Sequence, residues 1–251
     1  MRNKLVVEDF AVLKGPLESG RQSPSSLSFA LLLTIFLQAL FYYLTYYVAA
    51  EVTIFPYVEK IQTIHFWITA SFILLSGLYA IPAVYKRSQR IQYLLSILTI
   101  QNIGAVFCYL VALFLIGEQE GVTEDSLLAF TRTTLIIGAL IFIATFIRFY
   151  ILLKKGSYRE GSKKEATRQK FETKSNLPMA IIASIGLVFV IQYVVRMFSW
   201  TDMEIMLVAI MFIGVFFTML FVLPEQLVIL YCKLRFKSFN FDKKGYLRSE
   251  E

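Results

Sequence analysis

Apolar runs of about twenty residues recur along this chain, each closed by a short polar or charged stretch. That alternation predicts six membrane-crossing helices, at 27–49, 62–84, 91–116, 127–153, 177–199 and 203–223. A helix rises about 1.5 Å per residue, so about twenty residues cover a hydrocarbon core of about 30 Å. Lipid offers no hydrogen bonds, so a spanning segment must satisfy its backbone internally, and helices do so. The expected fold is an all-α polytopic bundle of six transmembrane helices with both termini on the same side.

Local punctuation places the ends. Ser25 and Ser26 are positioned to cap the first run, whose far half carries Tyr42, Tyr43, Tyr46 and Tyr47, expected as an interfacial belt. Pro82 stands near the end of the second run, where a kink is tolerable, and Pro178 opens the fifth at a favoured first-turn position. Pro224-Glu225 interrupts the last apolar run. Beyond it, Leu227, Val228, Leu230, Tyr231 and Leu234 keep a helical spacing among Lys233, Arg235 and Lys237. Residues 224–251 are expected to begin with a basic amphipathic helix on the membrane surface and to end as a tail. The alternative is one long helix bent at Pro224. In the N-terminal tail, 1–26, Val6, Phe10 and Leu13 would share one helical face, expected to lie on the inner leaflet or dock on a soluble partner. This tail carries Glu8, Asp9 and Glu18 and does not read as a cleaved signal peptide.

Charge orients the bundle. The N-terminal tail holds four Lys or Arg, the 85–90 loop three, the 154–176 stretch eight and the C-terminal tail six; the three opposite loops hold one, Lys60. Basic loops stay in the cytoplasm, which predicts cytoplasmic termini. The net charge of +7 is accounted for by the same loops and their attraction to anionic headgroups, so nucleic acid is not expected as a partner. The chain is 57% hydrophobic and only 17% charged, with a mean hydropathy of +0.63, against about 25% charged for soluble domains. Cys108 and Cys232 both fall in or beside apolar runs and read as small packing residues, not a disulfide or metal pair.

Ionisable or amide side chains inside an apolar run are costly and become functional candidates by default. Arg148 either snorkels to the inner interface or pairs with Glu225, which should sit at the same depth; Glu225 after a proline also suits a helix N-terminus. Arg132 and Arg196 lie near the outer ends of their runs, opposite the acids Glu118, Glu120, Glu124, Asp125, Asp202 and Glu204, as rim contacts or an anion vestibule. His65, the sole histidine, is expected at the outer interface beside Trp67, with a pH-sensing or ligand role as the alternative. Gln101 and Asn102 lie mid-span and need partners across helices; Gln38, Gln192, Ser71 and Ser76 are the candidates. They act as helix–helix glue or line a substrate path.

No nucleophile–base pairing, multi-histidine motif or Gly-rich phosphate loop stands out, and no cofactor or metal is expected. The expectation is a non-enzymatic membrane subunit working with a cytosolic or membrane partner (a permease half, a secretion accessory or an immunity-type protein) in a plasma membrane, of bacterial type given the compact loops. A stand-alone small-molecule transporter is the alternative, and an intramembrane enzyme a more distant one.

Overall fold

The computed structural model describes residues 5–163, 166, 201–242 and 244–249. Among these the secondary structure is helical, and five helices are long and apolar enough to cross a membrane. We label them α1 (Pro24–Leu44, continuing as a π-helix over Thr45–Ala49), α2 (Val58–Ala80), α3 (Gln89–Gln101, a π segment Asn102–Phe107, then Cys108–Ile116), α4 (Glu124–Lys154) and α5 (Thr201–Arg235). The expected span 177–199, with Arg196 and Gln192, and most of the 154–176 stretch lie outside the described residues.

The helix ends follow from local chemistry, in places not as the sequence led us to expect. Ser23, rather than Ser25 or Ser26, caps α1: its Oγ accepts the Ser26 N–H at 3.2 Å, and Pro24 fills the first turn, where no N–H is needed. Pro82 terminates α2 instead of kinking it. The residue before a proline is driven from helical to extended backbone, and Ile81 sits at φ −75°, ψ 125°. Carbonyls freed at that end are taken by α1 and α3: Ser28 Oγ donates to Ala80 O at 2.8 Å and Gln92 Nε2 to Tyr79 O at 3.2 Å. Thr123 and Ser126 form a reciprocal capping pair at the start of α4, where Glu124 and Asp125 meet the positive end of the helix dipole.

α3 is the hub. Two thirds of its most apolar window (67%) is buried, against 11–17% for the other four helices. It packs against α1, α2 and α5, and α4 packs chiefly on α5. The others turn Phe29, Phe36, Trp67, Leu74, Leu140 and Ile210 outward, as suits helices whose solvent is lipid. Gly104 and Gly138 permit close approach to α5: a Cβ on Gly104 would lie 2.9 Å from the Met219 side chain, and one on Gly138 would lie 2.7 Å from Leu220.

α5 runs unbroken through Pro224 to Arg235, so the surface-lying amphipathic helix expected over 225–237 is replaced by the long-helix alternative. Lys233, expected at the membrane surface, is only 1% exposed. Its Nζ donates to Phe239 O at 3.1 Å and stands 5.1 and 5.4 Å from the ring centroids of Tyr93 and Phe241. Asn240 Nδ2 closes the helix by donating to the carbonyls of Lys233 and Phe236.

The N-terminal tail is also folded back. Val7–Lys14 forms a 3-10 helix whose Phe10, Val12 and Leu13 are buried, not on a leaflet or a partner, but against this chain's own Tyr93, Phe149, Tyr158, Ile229 and Phe239. Asp9 fastens it, accepting from Arg159 (ion pair at 2.7 Å) and from the Val6 N–H at 3.0 Å, while the Val12 N–H donates to Tyr158 O. One hydrophobic cluster thus knits together tail, loop and C-terminal segment at the basic end. A second, around Tyr46, Phe55, Tyr109, Leu113, Phe114 and Phe216, fills the opposite end.

Candidate functional site

Polar side chains on three helices meet in one buried seam. On α1, Thr34, Gln38 and Thr45 share a face; on α2, His65, Thr69 and Ser76; on α3, Gln92, Ser96, Thr99 and Asn102. All are buried. The spacings of three, four and seven place each set along one stripe of its helix.

A directed hydrogen-bond chain runs through this seam. His65, 4% exposed, lies between Tyr46 and Asn102: Nδ1 is 2.8 Å from Tyr46 Oη and Nε2 is 2.9 Å from Asn102 Oδ1. Asn102 Nδ2 donates to Gln38 Oε1 at 3.3 Å and to Thr69 Oγ1 at 3.2 Å. An amide oxygen only accepts, so Nε2 carries the imidazole proton and Nδ1 accepts from the Tyr46 hydroxyl; the tautomer follows from this pattern. The chain reads Tyr46 to His65 to Asn102 to Gln38 and Thr69, each donor pointing the same way. Phe107 covers the imidazole, ring centroids 4.4 Å apart, and Tyr46 meets it edge-on.

Both π segments fall here. Asn102 opens the one in α3 and Tyr46 lies within the one in α1. A π turn inserts one extra residue and re-aims the side chains beyond it. Successive residues on a helix point about 100° apart, so Gln101 faces a different neighbour from Asn102: its Nε2 donates to Met219 O on α5 at 3.2 Å and reaches Gln226 Oε1 at 3.5 Å. The adjacent amides therefore bind α3 to opposite sides of the bundle.

Several seam atoms keep hydrogen-bonding capacity unused among the described residues: Gln38 Nε2, Thr45 Oγ1, Ser76 Oγ and Thr99 Oγ1 are buried without a partner.

The other candidates lie elsewhere. His65 is not the interfacial residue expected; its neighbour Trp67 is 67% exposed, and Tyr46 has likewise left the tyrosine belt for the interior while Tyr43 and Tyr47 stack outside. Of the partners expected for the mid-span amides, Gln38 meets Asn102, whereas Ser71 bonds back to Trp67 O on its own helix. Arg148 and Glu225 line one cavity of about 260 Å³ with Tyr158. Arg132 is exposed on α4. Cys108 and Cys232 are buried and unlinked. Missed at the sequence level were Tyr46, Thr69 and Lys233. The stripe His65, Thr69, Ser76 was the available signal for the second of these.

Comparison with protein-family models, curated proteins and solved structures finds no match to this chain.

Proposed function

We propose that this chain is a non-enzymatic multi-pass membrane subunit that works with a partner protein, seated in a plasma membrane of bacterial type with its basic segments in the cytoplasm. The orientation rests on the lysine and arginine bias between the two ends. The observation that carries the partner reading is the built basic end. The N-terminal tail, the start of the 154–176 stretch and the C-terminal segment fold onto the helix ends around Phe10, Leu13, Tyr158, Cys232 and Phe239. Ordering such tails costs about 1–2 kcal/mol of backbone entropy per residue. Burial of these side chains offsets that cost, and the pre-ordered surface spares a docking chain the entropy of ordering it.

The seam supports the alternative, a stand-alone small-molecule transporter, because spare hydrogen-bonding atoms at mid-depth suit a polar solute. The two readings separate in one experiment. Extraction into lipid nanodiscs followed by native mass spectrometry should give a complex of fixed stoichiometry with a second polypeptide. The purified chain in liposomes should move no solute unaided; solute uptake by the chain alone would overturn the subunit reading.

A further inference from the structure

We infer that the basic end holds a binding site for the phosphate headgroup of an anionic phospholipid, between the α2–α3 loop and the C-terminal segment. The tight turn after Pro82 brings Lys86 and Arg87 next to Arg90 on the first turn of α3. The C-terminal segment is clamped alongside by one side chain. Gln89 Nε2 donates to Phe241 O at 3.0 Å, and the Phe241 N–H donates to Gln89 Oε1 at 2.9 Å. Phe241 pairs with Leu247 across a turn, which delivers Arg248, whose Nε donates to Phe241 O at 3.3 Å. These contacts border an open cavity of about 350 Å³ walled by Lys86, Arg87, Arg90 and Arg248, with no carboxylate among the described residues that line it.

Four cations gathered on one small concavity repel one another, and among the described residues Gln89 is the side chain that clamps the C-terminal segment beside them. Among the described residues, the carboxylate nearest in the chain, Asp242, accepts the N–H groups of Lys244 and Tyr246. The first turn of α3 adds the positive end of a long helix dipole. A phosphate group satisfies this set through charge-assisted hydrogen bonds.

The neighbouring surface points to a lipid rather than a free phosphate. From the mouth of the cavity Ile91, Leu94 and Leu98 continue along α3, spaced by three and four residues, and all three are exposed. They form an apolar track up one helix face, where an acyl chain would lie while its headgroup sits among the cations. Basic pockets between helices on the cytoplasmic side hold anionic headgroups in this manner. The site is independent of whether a protein partner binds.

The test uses the full chain in nanodiscs of phosphatidylcholine alone or with phosphatidylglycerol. Native mass spectrometry should show phosphatidylglycerol retained over phosphatidylcholine. R87Q should weaken that retention roughly fivefold, and R87Q/R90Q/R248Q about a hundredfold, at about 1 kcal/mol per cation. Both variants should keep the wild-type melting temperature in phosphatidylcholine, which shows the fold intact; if the triple variant melts early, the retention measured for R87Q alone decides. Inorganic phosphate at millimolar concentration should not displace the lipid. Equal retention of the two lipids by the wild type, unchanged retention by R87Q, or displacement by inorganic phosphate would each overturn the assignment.

Discussion

Replacing Asn102 with leucine removes the branching point of the buried network while keeping the branched shape and the heavy-atom count of the side chain. The change deletes three hydrogen bonds at once: the acceptor for His65 Nε2–H and the donors to Gln38 Oε1 and Thr69 Oγ1. Between membrane helices such bonds average about 0.6 kcal/mol and reach about 1.7, so three predict a loss of about 2 kcal/mol and at most about 5. Thr69 recovers part of its share, since a threonine hydroxyl can turn to a carbonyl one turn back on its own helix. Gln38 cannot do so easily, being fully buried with its Nε2 already unpartnered. The expected cost is therefore about 1.5–2.5 kcal/mol. H65F removes only two bonds and keeps the ring against Phe107, so about 1 kcal/mol is expected. The two sites share one bond, and the double mutant should fall short of additivity by about 0.6 kcal/mol. Reversible unfolding in bicelles reads all three values. A cost for N102L below about 0.5 kcal/mol, or strict additivity with H65F, would refute the network as a stabilising unit.

Further outcomes follow from other contacts. G104V should push Met219 aside and separate α3 from α5, at about 1–3 kcal/mol by bicelle unfolding, whereas I100V, exposed on the same helix, should cost little. D9N removes the charge that meets the half-exposed Arg159 and anchors the Val6 N–H; stability should fall by only about 1 kcal/mol, while hydrogen exchange over residues 5–14 should accelerate several-fold. Arg148 and Glu225 line one cavity, and R148E/E225R reads their coupling: marked recovery over the single variants shows a direct pair, and additive losses within about 0.5 kcal/mol show that they act separately. Backbone N–H groups of the 242–246 turn hold the Asp242 carboxyl below its ordinary 3.8. A group with a lowered folded pKa stabilises above its unfolded value, so the turn should stay closed at neutral pH and loosen only as pH falls below about 4, read from the amide shifts of Lys244 and Tyr246.

The helical membrane fold was legible because length and apolarity alone decide what lipid accepts; the runs at 27–49, 91–116 and 127–153 needed no other information. Their ends were less so. Ser23 and Thr123 outcompete nearby hydroxyls for the caps through backbone geometry that no residue count reveals. Pro224 reads as a break because proline removes one hydrogen bond, yet packing of Ile229 and Cys232 in the basic-end cluster holds α5 together across it. Hydropathy likewise assigns Lys233 to water, and only the fold discloses the carbonyl and rings that receive it. At the site, Asn102 and Gln38 stood out as amides in apolar surroundings. His65 and Tyr46 did not, because depth along a span cannot be separated from the rotation that turns a side chain inward. The two π segments that set this rotation have no evident sequence signature here.

Single-cysteine labelling in intact cells with a membrane-impermeant maleimide tests the central claim most directly. Cys108 and Cys232 are buried, which leaves a low background, and Q119C and G161C sit in loops at opposite ends of α4. A bundle with its basic end in the cytoplasm predicts that Q119C reacts from outside at once and G161C only after lysis. Immediate labelling of G161C with Q119C protected would reverse the orientation, and equal labelling of both before lysis would contradict a membrane-crossing α4 altogether.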